Sequence, residues 1–191
     1  MPLRIIGGSF RNRLLKSPKG EETRPTLAIM RKAVFDIVQA RIEGASFLDL
    51  YAGTGAMGLE ALSRGACHAT FVETHRSALR CIEDNVRDLK VESQCTLIGY
   101  DAFFALRKLA KERRRFDIVY ADPPYGSISH SNLLQEILTF FDANALLSHG
   151  GTLFLEETDP PALKPVTLPL VHLHHVNTRS FSRSALHQFS L

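Results

Sequence analysis

The chain has 191 residues, of which 45% are hydrophobic and 23% charged, and its formal net charge is +3. This composition excludes a disordered chain, and no apolar run approaches the roughly 20 residues of a membrane span. The three cysteines, Cys67, Cys81 and Cys95, include no CxxC pair. We therefore predict core thiols, no metal and a cytoplasmic protein.

Positive charge is concentrated at the two ends of the chain. Residues 1–32 contain eight Lys and Arg against two Glu, a net charge of +6, and residues 160–191 contain three Lys and Arg and no acid. Residues 33–159 therefore carry a net charge of −6. Basic termini suggest contact with a polyanion, and a solvated basic face is the alternative.

The first predicted element is a β-hairpin at residues 3–15 that turns at Gly7-Gly8-Ser9. Arg11 and Arg13 fall on one face of it by the two-residue period of a strand. A lone hairpin is marginal in water, so we expect this one to pack against the main body. We predict two parts, a basic hairpin with its linker at 1–23 and a single domain at 24–191.

A helix is predicted to open at Arg24-Pro25-Thr26, with Thr26 as its N-cap. Arg31 and Lys32 are predicted to lie off the buried stripe of this helix. The stripe itself follows helical spacing and consists of Met30, Ala33, Val34, Ile37 and Val38.

From residue 46 the sequence alternates strand patterns with helix patterns. This alternation predicts an α/β fold of the Rossmann type, with a mostly parallel, doubly wound sheet. Two further strand-like runs, 168–176 and 184–189, predict a C-terminal hairpin that adds an antiparallel strand. The strands of the parallel part are predicted at 47–50, 69–72, 95–98, 116–121 and 152–155.

The fourth of these strands runs into Asp122-Pro123-Pro124-Tyr125. Two consecutive prolines force a rigid, extended corner, which aims the Asp122 carboxylate and nearby carbonyls into one small space beside the Tyr125 ring. Such a site suits a planar base with an exocyclic amine, which donates hydrogen bonds and stacks. A plain proline-rich turn is the alternative.

A second site pattern follows the first strand. Gly53, Gly55 and Gly58 fit a nucleotide-binding loop, and Glu73 lies 20 residues past Gly53, where a carboxylate can hold ribose hydroxyls. Asp49 and Asp101 add negative charge that would repel a pyrophosphate. The same acids attract a cofactor with an amino group and a sulfonium, which indicates S-adenosylmethionine.

These motifs resemble those of class I S-adenosylmethionine-dependent methyltransferases that act on exocyclic amines. Over nearly the whole chain they are similar to the bacterial family that methylates guanine N2 in 16S ribosomal RNA. The departure is Arg179-Ser180-Phe181-Ser182, where the family tends to have Arg, an aromatic residue and then Gly. The motifs that carry the resemblance are Asp49-Leu50-Tyr51-Ala52-Gly53-Thr54-Gly55, Glu73, Asp101-Ala102, Asp122-Pro123-Pro124-Tyr125, Arg4-Ile5-Ile6-Gly7-Gly8, Arg24-Pro25-Thr26, Arg31-Lys32-Ala33-Val34-Phe35 and the run from Gly58 to Ala66.

The resemblance implies roles for three sets of residues. The catalytic set is Asp122, Pro123 and Tyr125. The cofactor-binding set is Asp49, Ala52, Gly53, Thr54, Gly55, Glu73, Asp101, Ala102 and Asp122. The RNA-binding set is Arg4, Arg11, Arg13, Lys16, Arg24 and Thr26.

The resemblance implies 16S rRNA as the partner, within a small-subunit assembly particle. The protein is expected to be a cytoplasmic monomer that uses no metal ion and releases S-adenosylhomocysteine as the product.

Two alternatives compete with this interpretation. One is a DNA adenine or protein glutamine methyltransferase, for which 191 residues leave no room for a separate recognition domain. The other is an inactive nucleic-acid-binding module, against which the unbroken Asp-Pro-Pro-Tyr motif argues.

Overall fold

The computed structural model describes residues 2–18, 25–124, 130–158 and 169–191. Its described helices are α1 Pro25–Val38, α2 Ala56–Ser63, α3 Arg76–Leu89, α4 Ala102–Lys111 and α5 His130–Ala143. Its described strands are β1 Ser46–Leu50, β2 His68–Val72, β3 Cys95–Ile98, β4 Phe116–Ala121, β5 Leu147–Thr158, β6 His174–Phe181 and β7 Ser184–Ser190.

The described strands form one sheet in the order β3-β2-β1-β4-β5-β7-β6. The first five strands of that order pair in parallel, and β7 pairs antiparallel with both β5 and β6. The predicted parallel sheet with an antiparallel C-terminal addition is therefore confirmed. The strand order reverses between β1 and β4, which is where doubly wound sheets bind their ligands.

Alternate residues of each strand face opposite layers of helices, as the period of two requires. On one side, Phe47 and Phe71 join the buried faces of α1, α2 and α3. On the other side, Leu48 and Val72 pack against α4 and α5. In the described part of the chain, no helix is both long enough and apolar enough to cross a bilayer.

The N-terminal segment packs on the first of these layers, as expected for a hairpin that cannot stand alone. Its backbone pairing includes Ile5 N–H to the Arg13 carbonyl at 3.1 Å and Leu15 N–H to the Leu3 carbonyl at 2.9 Å. Leu3, Ile5 and Leu15 are buried in the same core as α1 to α3.

Three local expectations need correction. Helix α1 begins at Pro25, so Thr26 lies inside the first turn rather than at the N-cap; the fixed φ of proline suits the first helical position. Arg31 is only 4% exposed and is not off the buried stripe. Cys67 is exposed, and Cys81 and Cys95 are half-buried, so they are not fully buried core thiols.

The first strand of the C-terminal hairpin lies later in the sequence than predicted. The strand predicted at 168–176 is β6 at His174–Phe181. Residues 171–173 do not pair in the sheet, because their N–H groups donate to the Asp142 carboxylate of α5 at 2.7 to 2.9 Å. This side chain anchors the segment that precedes β6.

Candidate active site

Three predicted site residues lie at one edge of the sheet, just past the carboxyl ends of β2, β3 and β4. Leu50 at the end of β1 pairs with Val72 of β2 and with Ala121 of β4, and Val72 pairs with Ile98 of β3. The residues that follow these positions include Glu73, Asp101 and Asp122. The register thus brings the glycine loop that starts at Gly53 and the corner that starts at Asp122, 69 positions later in the sequence, to one crevice.

Asp49 holds the first turn of α2, directly after the glycine loop. This carboxyl is 1% exposed and accepts a hydrogen bond from the Gly58 N–H at 2.9 Å. A Cβ on Gly58 would lie 2.3 Å from the Phe71 ring. Only glycine lets α2 approach β2 this closely, so the third glycine of the motif is required for packing.

Glu73 closes the same loop from the end of β2. Its Oε2 accepts from the Gly53 N–H at 2.8 Å, and its Oε1 accepts from the N–H groups of Thr74 and His75 at 2.7 and 2.8 Å. A carboxylate has about four acceptor positions, and three are used here. The remaining position can accept from a ligand hydroxyl.

Asp101 has a structural role, in addition to its predicted cofactor role, that the sequence did not reveal. It is the N-cap of α4, and its Oδ1 accepts from the N–H groups of Phe103 and Phe104 at 2.9 and 3.2 Å. The residue is exposed, so its other oxygen can face a ligand. Ala102, the next predicted cofactor residue, is buried.

The Asp-Pro-Pro corner begins directly after β4. Asp122 is half-buried, Pro123 is buried and Pro124 is exposed. The Asp122 N–H donates to the Leu50 carbonyl at 3.4 Å, which ties the corner to β1. Tyr125, the third predicted catalytic residue, lies outside the described residues.

The electrostatics of the crevice favour a cationic ligand. Burial raises the pKa of Asp49 to about 8, the Gly58 N–H opposes that rise, and the negative charges of Asp122 and Glu73 add to it. These carboxyls are thus close enough to repel one another. A sulfonium and an ammonium group would relieve that repulsion, so the residues present fit S-adenosylmethionine. Among the described residues, no cluster of His, Cys, Asp and Glu could hold a metal ion.

The raised pKa of Asp49 predicts a pH-dependent stability. The folded pKa of about 8 exceeds the unfolded value of 3.8. The contribution of this carboxyl to the free energy of unfolding is therefore full below pH 4 and is lost as the pH rises toward 8. Without ligand, the free energy of unfolding should fall by up to about 1.4 kcal/mol per pH unit across that range. Asp49→Asn, which can still accept from Gly58, should flatten the slope in denaturant titrations. Equal slopes for the two proteins would contradict the prediction.

Sequence reasoning missed a buried carboxylate that joins the N-terminal segment to α2. Glu60 is fully buried, and its two oxygens accept from the N–H groups of Ile6 and Gly7, both at 2.7 Å. It also pairs with Arg64 at 2.8 Å and with Arg31 at 3.6 Å. Only its place inside the motif from Gly58 to Ala66 could have drawn attention to it.

A close backbone approach supports the same junction. Gly8 has a φ of +75°, and a Cβ there would lie 1.7 Å from the Ser63 carbonyl oxygen. The Ser63 hydroxyl donates to the Gly7 carbonyl at 2.6 Å. The Gly7-Gly8 pair is therefore a docking point on α2 as well as a turn.

The predicted RNA-binding residues that the structure describes lie on the exposed side of this segment. Arg4, Arg11, Arg13 and Lys16 are all exposed. Arg13 donates to the Asp88 carbonyl at 3.0 Å, and Lys16 pairs with Asp88 at 3.0 Å and Asp84 at 3.6 Å. Arg24 lies outside the described residues, as does the side chain of Thr26.

Residues 3–189 match the family described as "Conserved hypothetical protein 95". The chain belongs to this family. Among its relatives, the ribosomal RNA small subunit methyltransferase D of Escherichia coli is 33% identical over 154 residues, 81% of this chain and 74% of that protein. The protein of the same name from Haemophilus influenzae is 30% identical over 164 residues, 85% of this chain and 83% of its own. The family resemblance noted in the sequence is confirmed.

Solved structures agree on the fold. A Thermus thermophilus hypothetical protein superposes with a TM-score of 0.79 at 29% identity, covering 99% of both chains. A 16S rRNA N2 G1207 methyltransferase of the same organism, in complex with AdoMet and guanosine, gives a TM-score of 0.71 at 20% identity. The match covers all of this chain and 49% of that one. The family member described here has the class I methyltransferase fold.

Proposed function

We propose that this protein transfers a methyl group from S-adenosylmethionine to the exocyclic N2 amine of a guanine in 16S rRNA. The observation that carries the proposal is the placement of the Asp122 corner beside the acid-lined glycine loop, in a chain that is 33% identical to a ribosomal RNA small subunit methyltransferase. The remaining acceptor of Glu73 and the exposed Asp101 would hold the ribose and adenine ends of the cofactor.

The corner orients the amine. The lone pair of an aromatic amine is delocalised into its ring, so the amine is a weak nucleophile. Hydrogen bonds from its N–H groups to the Asp122 carboxylate and the Pro123 carbonyl would favour a tetrahedral nitrogen. S-adenosylmethionine supplies a methyl group already activated by its sulfonium. The protein's main task is then alignment of the reacting atoms within about 3–3.5 Å.

Asp122 need not be a strong base in this scheme. The amine proton becomes acidic only after nitrogen has gained the methyl group, so a carboxylate of ordinary basicity can receive it. Its negative charge also stabilises the positive charge that develops on nitrogen. Tyr125 would stack on the target base.

A change at Glu73 tests the cofactor part. Glu73→Gln keeps the size of the side chain and loses negative charge and acceptors, so the affinity for S-adenosylhomocysteine should fall by about 1.5–3 kcal/mol. Calorimetry measures this, with Glu83→Gln, an exposed carboxylate on α3, as the matched control. Unchanged affinity in a folded Glu73→Gln protein would remove Glu73 from the cofactor site.

For the RNA, we assign phosphate contacts to the basic segment at 1–23 that precedes the methyltransferase domain at 24–191. The substrate would be an assembly particle of the small subunit, met in the cytoplasm by a monomeric enzyme.

Neutralising Arg4, Arg11, Arg13 and Lys16 together should raise the Michaelis constant for RNA. The salt dependence of binding should flatten by about 0.7 to 0.9 units of slope for each phosphate that the protein no longer neutralises. Cofactor affinity should not change, which serves as the control for folding. A wild-type salt slope in this variant would mean that the segment serves only as structure.

The direct test of the activity uses a strain that lacks the gene. Mass spectrometry of its 16S rRNA should show one N2-methylguanine missing, restored by the wild-type gene and not by an Asp122→Ala copy. The purified protein should restore the same modification on RNA or particles from that strain. A modification map identical to wild type would overturn the proposal.

A further inference from the structure

Helix α4 and the turn after it carry a dense run of positive charge. Residues 107–115 contain six Lys and Arg and one Glu, a net charge of +5, inside the part of the chain that is acidic overall. Six of these seven charged side chains are exposed, and Arg114 is half-buried. The single acid of the run pairs within it, since Lys108 lies 4.0 Å from Glu112.

Helix stabilisation does not account for this run. Lys108 and Lys111 lie in the last turn, where cations interact favourably with the helix dipole. Residues 113–115 lie beyond the helix and precede β4. The positive charge therefore continues past the end of α4 to the amino edge of the sheet, where the Arg114 charge adds to burial in lowering the pKa of His68.

Two exposed aromatic rings begin the same surface. Tyr100 and Phe104 are 56% and 49% exposed, and their ring centroids are 4.9 Å apart. They are the exposed large aromatic side chains of the described part of the chain. Phe104, Arg107 and Lys111 recur at helical spacing on the exposed side of α4. We call Tyr100, Phe104, Arg107, Lys111 and residues 113–115 the α4 strip.

The α4 strip starts at the crevice and leads away from it. Tyr100 and Phe104 flank Asp101, the cap of α4 at the carboxyl edge of the sheet. The helix extends about 15 Å from there toward the opposite edge. The α4 strip lies on the layer that packs against α5, whereas the N-terminal segment packs on the layer of α1 to α3. The two basic surfaces are therefore on opposite faces, with the crevice between them.

We infer that the α4 strip binds a single-stranded segment of the substrate RNA. Aromatic rings on which bases stack, followed by a line of cations for the phosphates, are the two features by which proteins bind single strands without reading sequence. The inference rests on the proposed function for the identity of the RNA. It adds that the RNA passes over the crevice and continues along α4, with Tyr100 and Phe104 stacking on bases next to the target.

The test measures binding of two labelled probes to the full-length protein by fluorescence anisotropy. One probe is a single-stranded RNA of about 12 nucleotides, and the other is a duplex of the same sequence. Arg107→Gln with Lys111→Gln should weaken single-strand binding about tenfold and flatten its salt slope by about 1.4 units. The control, Arg80→Gln with Arg87→Gln, removes two exposed cations from α3. Its affinity for the single-stranded probe should stay within about twofold of wild type.

Stacking is tested separately. Tyr100→Ala with Phe104→Ala should weaken binding of the single-stranded probe about tenfold, since stacking of one base is worth about that factor or more. Binding of the duplex probe should be nearly unaffected. Equal losses on both probes, or no loss on either, would overturn stacking. A lower affinity for S-adenosylhomocysteine in this variant would assign the rings to the cofactor site instead and also overturn it.

The result is separable from the proposed function. If wild-type protein methylates 16S rRNA and the two strip variants bind and methylate it like the control, the α4 strip is a solvated face and the inference fails alone. If the wild type methylates no rRNA but binds the single strand through the α4 strip, the proposed function fails and the inference stands. Support for both requires a raised Michaelis constant for RNA in the strip variants with little change in kcat.

Discussion

Replacing Asp122 with alanine should lower kcat by several orders of magnitude and change RNA affinity little. The reason is that its carboxylate interacts more strongly with the cationic nitrogen of the transition state than with the neutral amine. Loss of such an interaction appears in kcat rather than in binding. Single-turnover rates at saturating cofactor and RNA measure the chemical step directly.

Asp122→Asn should give a rate between those of the wild type and Asp122→Ala. The amide oxygen can still accept a hydrogen bond from the amine, but it offers no charge to offset the positive nitrogen. Near-normal chemistry with weak RNA binding in Asp122→Ala would contradict this mechanism. The corner would then hold the substrate without assisting transfer.

The strands and helices of the parallel part could be predicted because each buries a regular face. The strands predicted at 95–98 and 116–121 coincide with β3 and β4, where short apolar runs are bounded by polar turns. The predicted 152–155 is the centre of the longer β5, Leu147–Thr158. Gly150, with a φ of +73°, lies inside that strand near a register shift opposite residues 116–118, so the part of β5 that the pattern missed is irregular.

Sequence-based prediction fails where a distant side chain replaces a local pattern. The Asp142 carboxylate satisfies the N–H groups of residues 171–173, for which the local pattern predicts a strand. The charge of Arg31 predicts a solvent-facing position, yet its side chain donates to the Arg4 carbonyl at 2.7 Å and is buried against Glu60. Sequence spacing carries no signal for partners so far apart along the chain.

The site motifs could be predicted in kind but not in their contacts. The strand-terminal acids are recognisable as cofactor candidates, but the sequence does not indicate that they also accept from backbone N–H groups. Asp49 accepts from α2, Glu73 from the glycine loop and Asp101 from α4. These bonds fix the shape of the crevice before any ligand arrives. A substitution at these acids therefore affects both the scaffold and the ligand, which is why conservative variants such as Asn and Gln are the informative ones.

The largest loss of stability is expected from Glu60→Gln. The change removes the negative charge beside Arg31, which is 4% exposed, and it replaces one acceptor oxygen with a donor facing a backbone N–H. An uncompensated buried charge costs about 3–5 kcal/mol, so the free energy of unfolding should fall by roughly that amount in a urea titration.

Two further variants identify the cause of that loss. Asp36→Asn breaks the exposed ion pair with Lys32 and should cost at most about 1 kcal/mol. Arg31→Met in the Glu60→Gln background removes the unpaired charge and should restore part of the stability, because a buried pair replaced on both sides is often tolerated. No recovery would assign the loss to the Ile6 and Gly7 N–H groups together with the Arg4 carbonyl, which Arg31→Met deprives of its donor. A loss below about 1 kcal/mol in Glu60→Gln would mean that this carboxylate does not hold the N-terminal segment on α2.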